Sequence, residues 1–362
     1  MKKTLLAIAA VICITACAKT EYHINGQVDK ESLNGTTVYI IEDAEGVLKT
    51  IDSTAVKDGK FMFSGTNDGV RVVYFMYNYP NDAVKSQAFI LESDNININI
   101  DAEGEILATG TKQNDILYAY SEAQRELFER GEKIANELEE RGASDAETEI
   151  EKQKFFDEYN ALIVKYCTEN ANTAVGNHLF LDSYYYLSIA DKETIIAKFD
   201  EKTKSIKRIQ KIIERLEIEK KTAEGSPFID FTQATPTGEM LSLSSLVGKT
   251  DYVLVDFWAS WCGPCIRSFP ELKAFYDTYK GTKIEILGVS LDESKKDWLN
   301  AIEKHELTWL HISDLKLWEN EAARLYAVSG IPRTVLIDKD GKIVGHNVSI
   351  AKMEELLAEK SN

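Results

Sequence analysis

One stretch constrains this chain more than any other: Asp256-Phe257-Trp258-Ala259-Ser260-Trp261-Cys262-Gly263-Pro264-Cys265. Ahead of it, Tyr252-Val253-Leu254-Val255 is apolar and β-rich, the pattern of a buried strand. Behind it, Phe269, Leu272, Phe275 and Tyr276 recur at spacings of three and four, so a helix follows. The two cysteines therefore stand at a strand-to-helix junction. Cys262 lies at or just before the helix N-terminus, where unsatisfied N–H groups and the helix dipole favour a thiolate. The two intervening residues let both sulfurs reach disulfide distance within one turn, and Pro264 suits that turn because its missing N–H is not needed. The competing use of such a pair is half of a zinc site. Zinc wants four ligands; there is no second Cys-x-x-Cys, and His23, His178, His305, His311 and His346 show no ligand-pair spacing. Redox chemistry is the expectation, with no metal and no cofactor.

This constellation resembles the thioredoxin active site. The resemblance covers roughly residues 225–360: strand, Trp261-Cys262-Gly263-Pro264-Cys265, helix, then Gly330-Ile331-Pro332 before a β-like run Thr334–Asp338 and the turn signal Asp340-Gly341. Within the family, the likeness is to the TlpA/ResA-like group of envelope thiol-disulfide oxidoreductases, and the long gap from Cys265 to Pro332 suits that group's central insertion. The resemblance implies that Pro332 is cis and faces the cysteines. It implies that Asp256 is a buried acid taking the proton of the second cysteine, a role that a raised pKa in an apolar strand would suit. It also implies that Trp261 borders the substrate groove and that Ile331 offers its backbone to an extended peptide. Cys262, nearer the helix tip and more exposed, is the expected attacker; Cys265, inside the first turn, is the expected resolver. Two positions depart from the family. Thioredoxins place a lysine near the buried acid, where this chain has Gly288. Many ResA-like proteins carry a glutamate shortly after the second cysteine, where this chain has Ser268.

A chain of 362 residues, 44% hydrophobic, holds two or three domains. Residues 1–17 read as an export signal: Lys2-Lys3, then an apolar run from Leu5 to Ile14 too short to span a membrane comfortably. The segment ends Ile14-Thr15-Ala16-Cys17, which resembles a bacterial lipobox, so Cys17 becomes the lipidated first residue and Cys13 leaves with the signal. A plain secretory signal cleaved near Ala16 or Ala18 is the alternative. Ala18 is not the aspartate that, in some bacteria, retains lipoproteins in the inner membrane, which favours the outer membrane.

Residues 18–110 form a β-rich domain. Ile96, Ile98 and Ile100 alternate with Asn95, Asn97 and Asn99, and Asp58-Gly59 between two β-like runs reads as a hairpin. Several short strands suggest an antiparallel sandwich, with Tyr74, Phe75, Tyr77 and Tyr79 in its core or on a sheet face. The region resembles the β-rich domain of unknown function that precedes thioredoxin domains in Gram-negative envelope lipoproteins. Residues 111–222 are helical, with stripes Leu117/Tyr120/Leu127/Ile134/Leu138, Phe156/Tyr159/Ile163/Cys167 and Ile206/Ile209/Ile213/Leu216. Cys167 reads as a core residue and Gly142–Glu151 as a loop. Residues 225–362, beginning with a β-like Phe228–Phe231, form the α/β thioredoxin-like domain.

A net charge of −17 excludes nucleic acid as a partner, since phosphate backbones demand basic patches; the acidity reads as solubility. The expected function is a membrane-anchored enzyme that exchanges its dithiol with protein disulfides or dithiols of the envelope, reducing rather than oxidising, with an upstream electron donor. A thiol peroxidase is one alternative, but it wants a proline and a threonine before its cysteine, where this chain has Trp258, Ala259 and Ser260 before Trp261. A partner-binding lipoprotein with secondary redox activity is another. Cys17→Ser should release the mature chain into the soluble periplasmic fraction; unchanged membrane fractionation would dismiss the lipid anchor.

Overall fold

The structure, a computed structural model, describes residues 20–29, 31–44, 46–78 and 84–359. Cys13, Cys17 and Tyr79, with the export-signal reading, lie outside the described residues. The chain divides after Ser205 into two compact units.

The first unit opens with β1 (Thr20–Val28), β2 (Thr37–Ala44), β3 (Val47–Ala55), β4 (Lys60–Asn67), β5 (Arg71–Asn78), β6 (Val84–Leu91), β7 (Asn95–Ile100) and β8 (Ile106–Thr109). They build two four-stranded sheets, β4-β1-β7-β8 and β3-β2-β5-β6. Their apolar faces share one core, with Ile24, Ile96 and Ile98 from one sheet and Ile40, Phe75 and Tyr77 from the other. The alternation read in Asn95–Ile100 is the burial pattern of β7. All pairs in these sheets are antiparallel except β1 with β7, which run parallel. Asp58 and Gly59 both have positive φ, as a tight primed turn requires. Yet this turn does not close a two-stranded hairpin: β3 and β4 belong to different sheets, joined at the turn by the Lys57–Lys60 bridge. Local turn chemistry sets the reversal; the shared core decides which sheet each arm enters.

Helices complete the unit: α1 (Lys112–Glu140), α2 (Asp145–Glu169), α3 (Ala174–Ser183), α4 (Ile189–Ile196) and α5 (Glu201–Lys204). The α1 stripe is buried at Leu117, Tyr120, Leu127 and Leu138. Asn114 ties α1 to β6, accepting from Ile90 N–H and donating to Ile90 C=O, both at 2.8 Å. The polar stretch 142–151 is largely helix rather than loop, because Ser144 and Glu147 form a reciprocal capping box that starts α2. Cys167 is fully buried on α2, and burial pushes its thiol up to about 12, so it behaves as a core residue.

The second unit starts with α6 (Lys207–Lys221), which is buried at Ile209, Ile212 and Leu216. The segment after α6 is tied down by long-range contacts: His346 Nε2 meets Thr222 C=O at 2.6 Å, and Gly225 N–H donates to Ile343 C=O at 2.8 Å. Phe228–Phe231 forms no strand; a small pair, β9 (Thr232–Ala234) and β10 (Met240–Ser242), follows it instead. Then come β11 (Tyr252–Trp258), α7 (Gly263–Tyr279), β12 (Ile284–Ser290), α8 (Lys295–Lys304), β13 (Leu310–Ile312), α9 (Glu321–Leu325), β14 (Arg333–Asp338), β15 (Ile343–His346) and α10 (Ile350–Glu359). The sheet order is β13-β12-β11-β14-β15. The three strands β11, β12 and β13 are mutually parallel, and β14 and β15 are antiparallel additions. This is the α/β thioredoxin-like domain, preceded by β sheets and a helical region. No described helix is long and apolar enough to cross a membrane.

A packing test sits in β1. Gly26 stands opposite Phe61 of β4, and a Cβ there would overlap the Phe61 ring, which is stacked on Phe75 at 5.1 Å. Gly26→Ala should destabilise the β-rich unit by about 1–3 kcal/mol, seen as a lower urea midpoint of its transition; an unchanged midpoint would show that the ring moves freely.

Candidate active site

β11 is buried along its whole length, as a central strand flanked on both sides should be. It delivers the chain to the tip of α7, where Cys262 is the N-cap and Pro264 lies in the first turn. The Cys262 sulfur accepts from the Cys265 N–H at 3.2 Å, so one orphan donor of the helix end is aimed at sulfur. Cys262 and Cys265 are joined as a disulfide, with Cα atoms 5.3 Å apart. Both are buried in this form, at 4% and 1% exposure, so the expected contrast in exposure is small; their distinction is position, at the helix tip and inside it. Ser268, the departure from the ResA-like pattern, gives its hydroxyl to the Cys265 carbonyl at 2.8 Å and supplies no carboxylate.

Asp256 is 4% exposed, and burial pushes its carboxyl up to about 7. In register it faces Gly288 on one side and Thr334 on the other. Phe257 stands opposite Arg333, which places Pro332 at the same sheet end as the loop into Cys262. The Ile331–Pro332 peptide is cis; Ile331 is half-buried and Pro332 exposed. The two tryptophans of the motif part ways. Trp258 is fully buried against Phe269, while Trp261 is 51% exposed.

Three residues around the motif carried no separate sequence signal. Asp292, just past β12, accepts from Ser260 N–H (3.0 Å), Ser260 Oγ (2.5 Å) and Ser290 Oγ (2.7 Å). A buried carboxylate thus pins the loop between β11 and Cys262. Trp318, 44% exposed, packs against Trp261 with ring centres 6.0 Å apart. Beside this pair opens a groove of about 530 Å³ that also reaches Asp292 and Lys304. The third is His311, buried on β13. Among the described residues no group of three or more His, Cys, Asp or Glu is placed to hold a metal.

The Asp256 carboxyl makes stability depend on pH. Burial penalises its charged form, so the folded chain keeps this proton to about pH 7, whereas the unfolded chain releases it near pH 4, roughly. The favourable contribution is complete below the unfolded value and is lost as pH rises through the folded one. Asp256→Asn does not titrate, so its stability relative to the wild type should climb across that window, by on the order of 4 kcal/mol, and level off above it. Urea titrations of the disulfide form measure this; a difference flat with pH would mean that the carboxyl is solvated.

Two family comparisons match. A thioredoxin-like family matches residues 249–343, and a domain of unknown function (DUF4369) matches residues 22–117. Thiol-disulfide oxidoreductase ResA of Bacillus subtilis (strain 168) is 32% identical over 122 residues, 34% of this chain and 65% of that protein. The protein of the same name from Geobacillus thermodenitrificans (strain NG80-2) is 33% identical over 121 residues, 33% of this chain and 67% of that one. This chain therefore spans about two thirds of the length of these relatives. Among solved structures, a thiol-disulfide oxidoreductase from Bacteroides fragilis NCTC 9343 is 32% identical, covering 36% of this chain and 99% of that one with a TM-score of 0.34. With a buried disulfide at a helix tip, the matching thioredoxin-like family and relatives a third identical over two thirds of their length, the chain belongs to the thioredoxin-like thiol-disulfide oxidoreductases.

Proposed function

We propose that this chain is a lipid-anchored thiol-disulfide oxidoreductase that reduces disulfides in proteins of the cell envelope. One observation carries the reading: the Cys262–Cys265 pair closes at the tip of α7, at the end of a strand that bears a buried carboxyl with a pKa of about 7. In the reduced enzyme, the Cys262 thiolate attacks one sulfur of a substrate disulfide, and the other substrate sulfur leaves as a thiolate. Cys265 then gives its proton to Asp256 and attacks the Cys262 sulfur, which releases the second substrate thiolate and leaves the enzyme as the disulfide. Two electrons pass to the substrate, and an upstream dithiol donor must restore them. Trp261 and the backbone at Ile331-Pro332 hold an extended substrate segment beside Cys262. The Gly-Pro between the cysteines, which resembles that of reducing thioredoxins, supports the direction.

In this reading, the export signal of residues 1–17 is cut before Cys17, which carries the lipid on the periplasmic side of the outer membrane, residues 18–110 and 111–222 are accessory, and residues 225–362 perform the exchange. The anchor rests on Ile14-Thr15-Ala16-Cys17 and Ala18. A second reading, a partner-binding lipoprotein with secondary redox activity, is favoured by one feature of the first unit. An apolar cleft of about 970 Å³ lies along α1 and α2, lined by Phe128, Ile134, Leu138, Phe155 and Phe156. Removing both active-site cysteines separates the two readings, since pure binding survives it.

The order of the cysteines is directly testable. Cys265→Ser removes the resolving thiol, so mixed disulfides through Cys262 should accumulate and appear on non-reducing gels of the envelope fraction as high-mass adducts that dithiothreitol abolishes. Cys262→Ser should trap few. Adducts through Cys265 at equal or greater yield would reverse the assignment, and peroxide consumption without protein adducts would favour a peroxidase.

A further inference from the structure

The row of residues across the sheet at Asp256 is unusual in its middle member. Asp256 of β11 pairs with Gly288 of β12, and Gly288 pairs with His311 of β13. Residues in register on parallel strands project to the same face, so an acid and an imidazole flank a position with no side chain. Neighbouring strands lie about 4.8 Å apart, so the two backbones are separated by only two such spacings. The imidazole leans into the gap: a Cβ on Gly288 would meet His311 Nδ1 at 2.5 Å and Trp258 Nε1 at 3.0 Å. His311 is 4% exposed, and neither ring nitrogen, nor the Trp258 N–H, makes a hydrogen bond of full geometry. Burial strips such a group of water without a compensating bond, so its place in a tight core calls for a use.

Apart from the Leu307 backbone, the polar group that shares the row with the imidazole is Asp256. Trp258 and Trp309 flank the imidazole, with ring centres 5.4 and 5.8 Å away. Phe269 of α7 packs on both tryptophans. Beyond it stand His305 and Lys273, and Lys273 already donates to the His305 carbonyl and to Glu306. Tyr276, edge-on to Trp309, gives its hydroxyl to Glu285. From β14, Thr334 stands opposite Asp256. Burial holds His311 neutral, with a pKa pushed down to about 3 against a smaller upward pull from the Leu307 carbonyl.

We propose that His311 is a positioning residue for Asp256: its imidazole, unbonded in the disulfide form, turns through the opening left by Gly288 to donate to the Asp256 carboxyl group when that group ionises, and so sets how readily it takes the proton of Cys265. A neutral imidazole carries one donor and one acceptor nitrogen, so alternate tautomers serve the carboxylate and the carboxylic acid. In the resolving step, the thiol proton moves from Cys265 to a carboxylate oxygen of Asp256, the freed sulfur pair forms the bond to Cys262, and the substrate sulfur departs with the electrons of the broken bond. An imidazole N–H on the carboxylate keeps it ionised, and so ready to accept, to lower pH than burial alone would permit. Gly288, which has no side chain, is what opens the path.

The inference rests on the proposed exchange reaction for its consequence, so Asp256 is titrated directly, in the disulfide form where neither active-site thiol titrates. The probe is the 13C carboxyl signal of labelled aspartate in the full chain, assigned by its loss in Asp256→Asn. His311→Leu, which fills the aromatic niche without a donor, should raise the Asp256 pKa by at least about half a unit, the sense expected when a bond to the charged form is lost. Gly288→Ala, which displaces the imidazole, should move it in the same direction, and His311→Gln, which keeps a donor, should move it less. The pH at which the resolving step of the reduced enzyme is half-maximal should rise in parallel. If His311→Leu does not fold, a shift in Gly288→Ala that is larger than in His311→Gln supports the pairing. An Asp256 titration at the same pH in every folded variant and the wild type overturns it. A shift in the titration, with no disulfide reduced by the wild type at any pH, upholds the pairing and overturns the exchange reading.

Discussion

The Cys265 N–H points at the Cys262 sulfur from 3.2 Å, and this contact exists because a fully buried strand ends where a helix begins. The end of a helix leaves backbone donors without partners and concentrates partial positive charge, and here a sulfur receives both. Around that junction the other parts fall into place. Asp292 holds the loop from below the motif through Ser260, and β14, running antiparallel beside β11, brings Ile331-Pro332 to the same end of the sheet. Loss of register between β11 and β14 would move the proline away from the cysteines without altering either element.

The apolar packing that orders β11 also tunes its chemistry. Asp256 is buried in that layer, and the result is a carboxyl that exchanges protons near neutrality. The same face carries His311 and the indoles of Trp258 and Trp309, polar atoms placed in an otherwise apolar layer. By contrast, Cys167 lies in an equally buried setting, and burial simply suppresses its acidity. A thiol is made reactive by its electrostatic surroundings rather than by burial alone.

The first unit obeys a different logic. Two sheets close over a shared aromatic and aliphatic core, Asn114 satisfies the backbone of Ile90 at the edge of β6, and the helices that follow are started by local caps such as Ser144 with Glu147. Gly26 illustrates how tightly that core is drawn, since its missing side chain is the space that Phe61 fills.

Local pattern sufficed for much of this molecule. The apolar run 252–255, the helical spacing after Pro264 and the Cys-Gly-Pro-Cys between them already determined a strand, a helix and a redox-capable pair, because each depends on neighbours a few residues away. The alternation at Asn95–Ile100 and the positive-φ turn at Asp58-Gly59 were legible for the same reason. The capping box of Ser144 and Glu147 is also local, yet the polar composition of Gly142–Glu151 reads as a loop and masks it. Contacts distant in sequence were not legible. That β3 and β4 separate into different sheets and that β1 and β7 run parallel follow from which apolar faces meet. Asp292 and Trp318 lie far along the chain from Ser260 and Trp261, and no periodicity links them. Gly288 read in isolation is only a missing lysine. The tertiary structure alone decided that it separates Asp256 from His311, because strand order and register, set by long-range packing, determine which residues share a row.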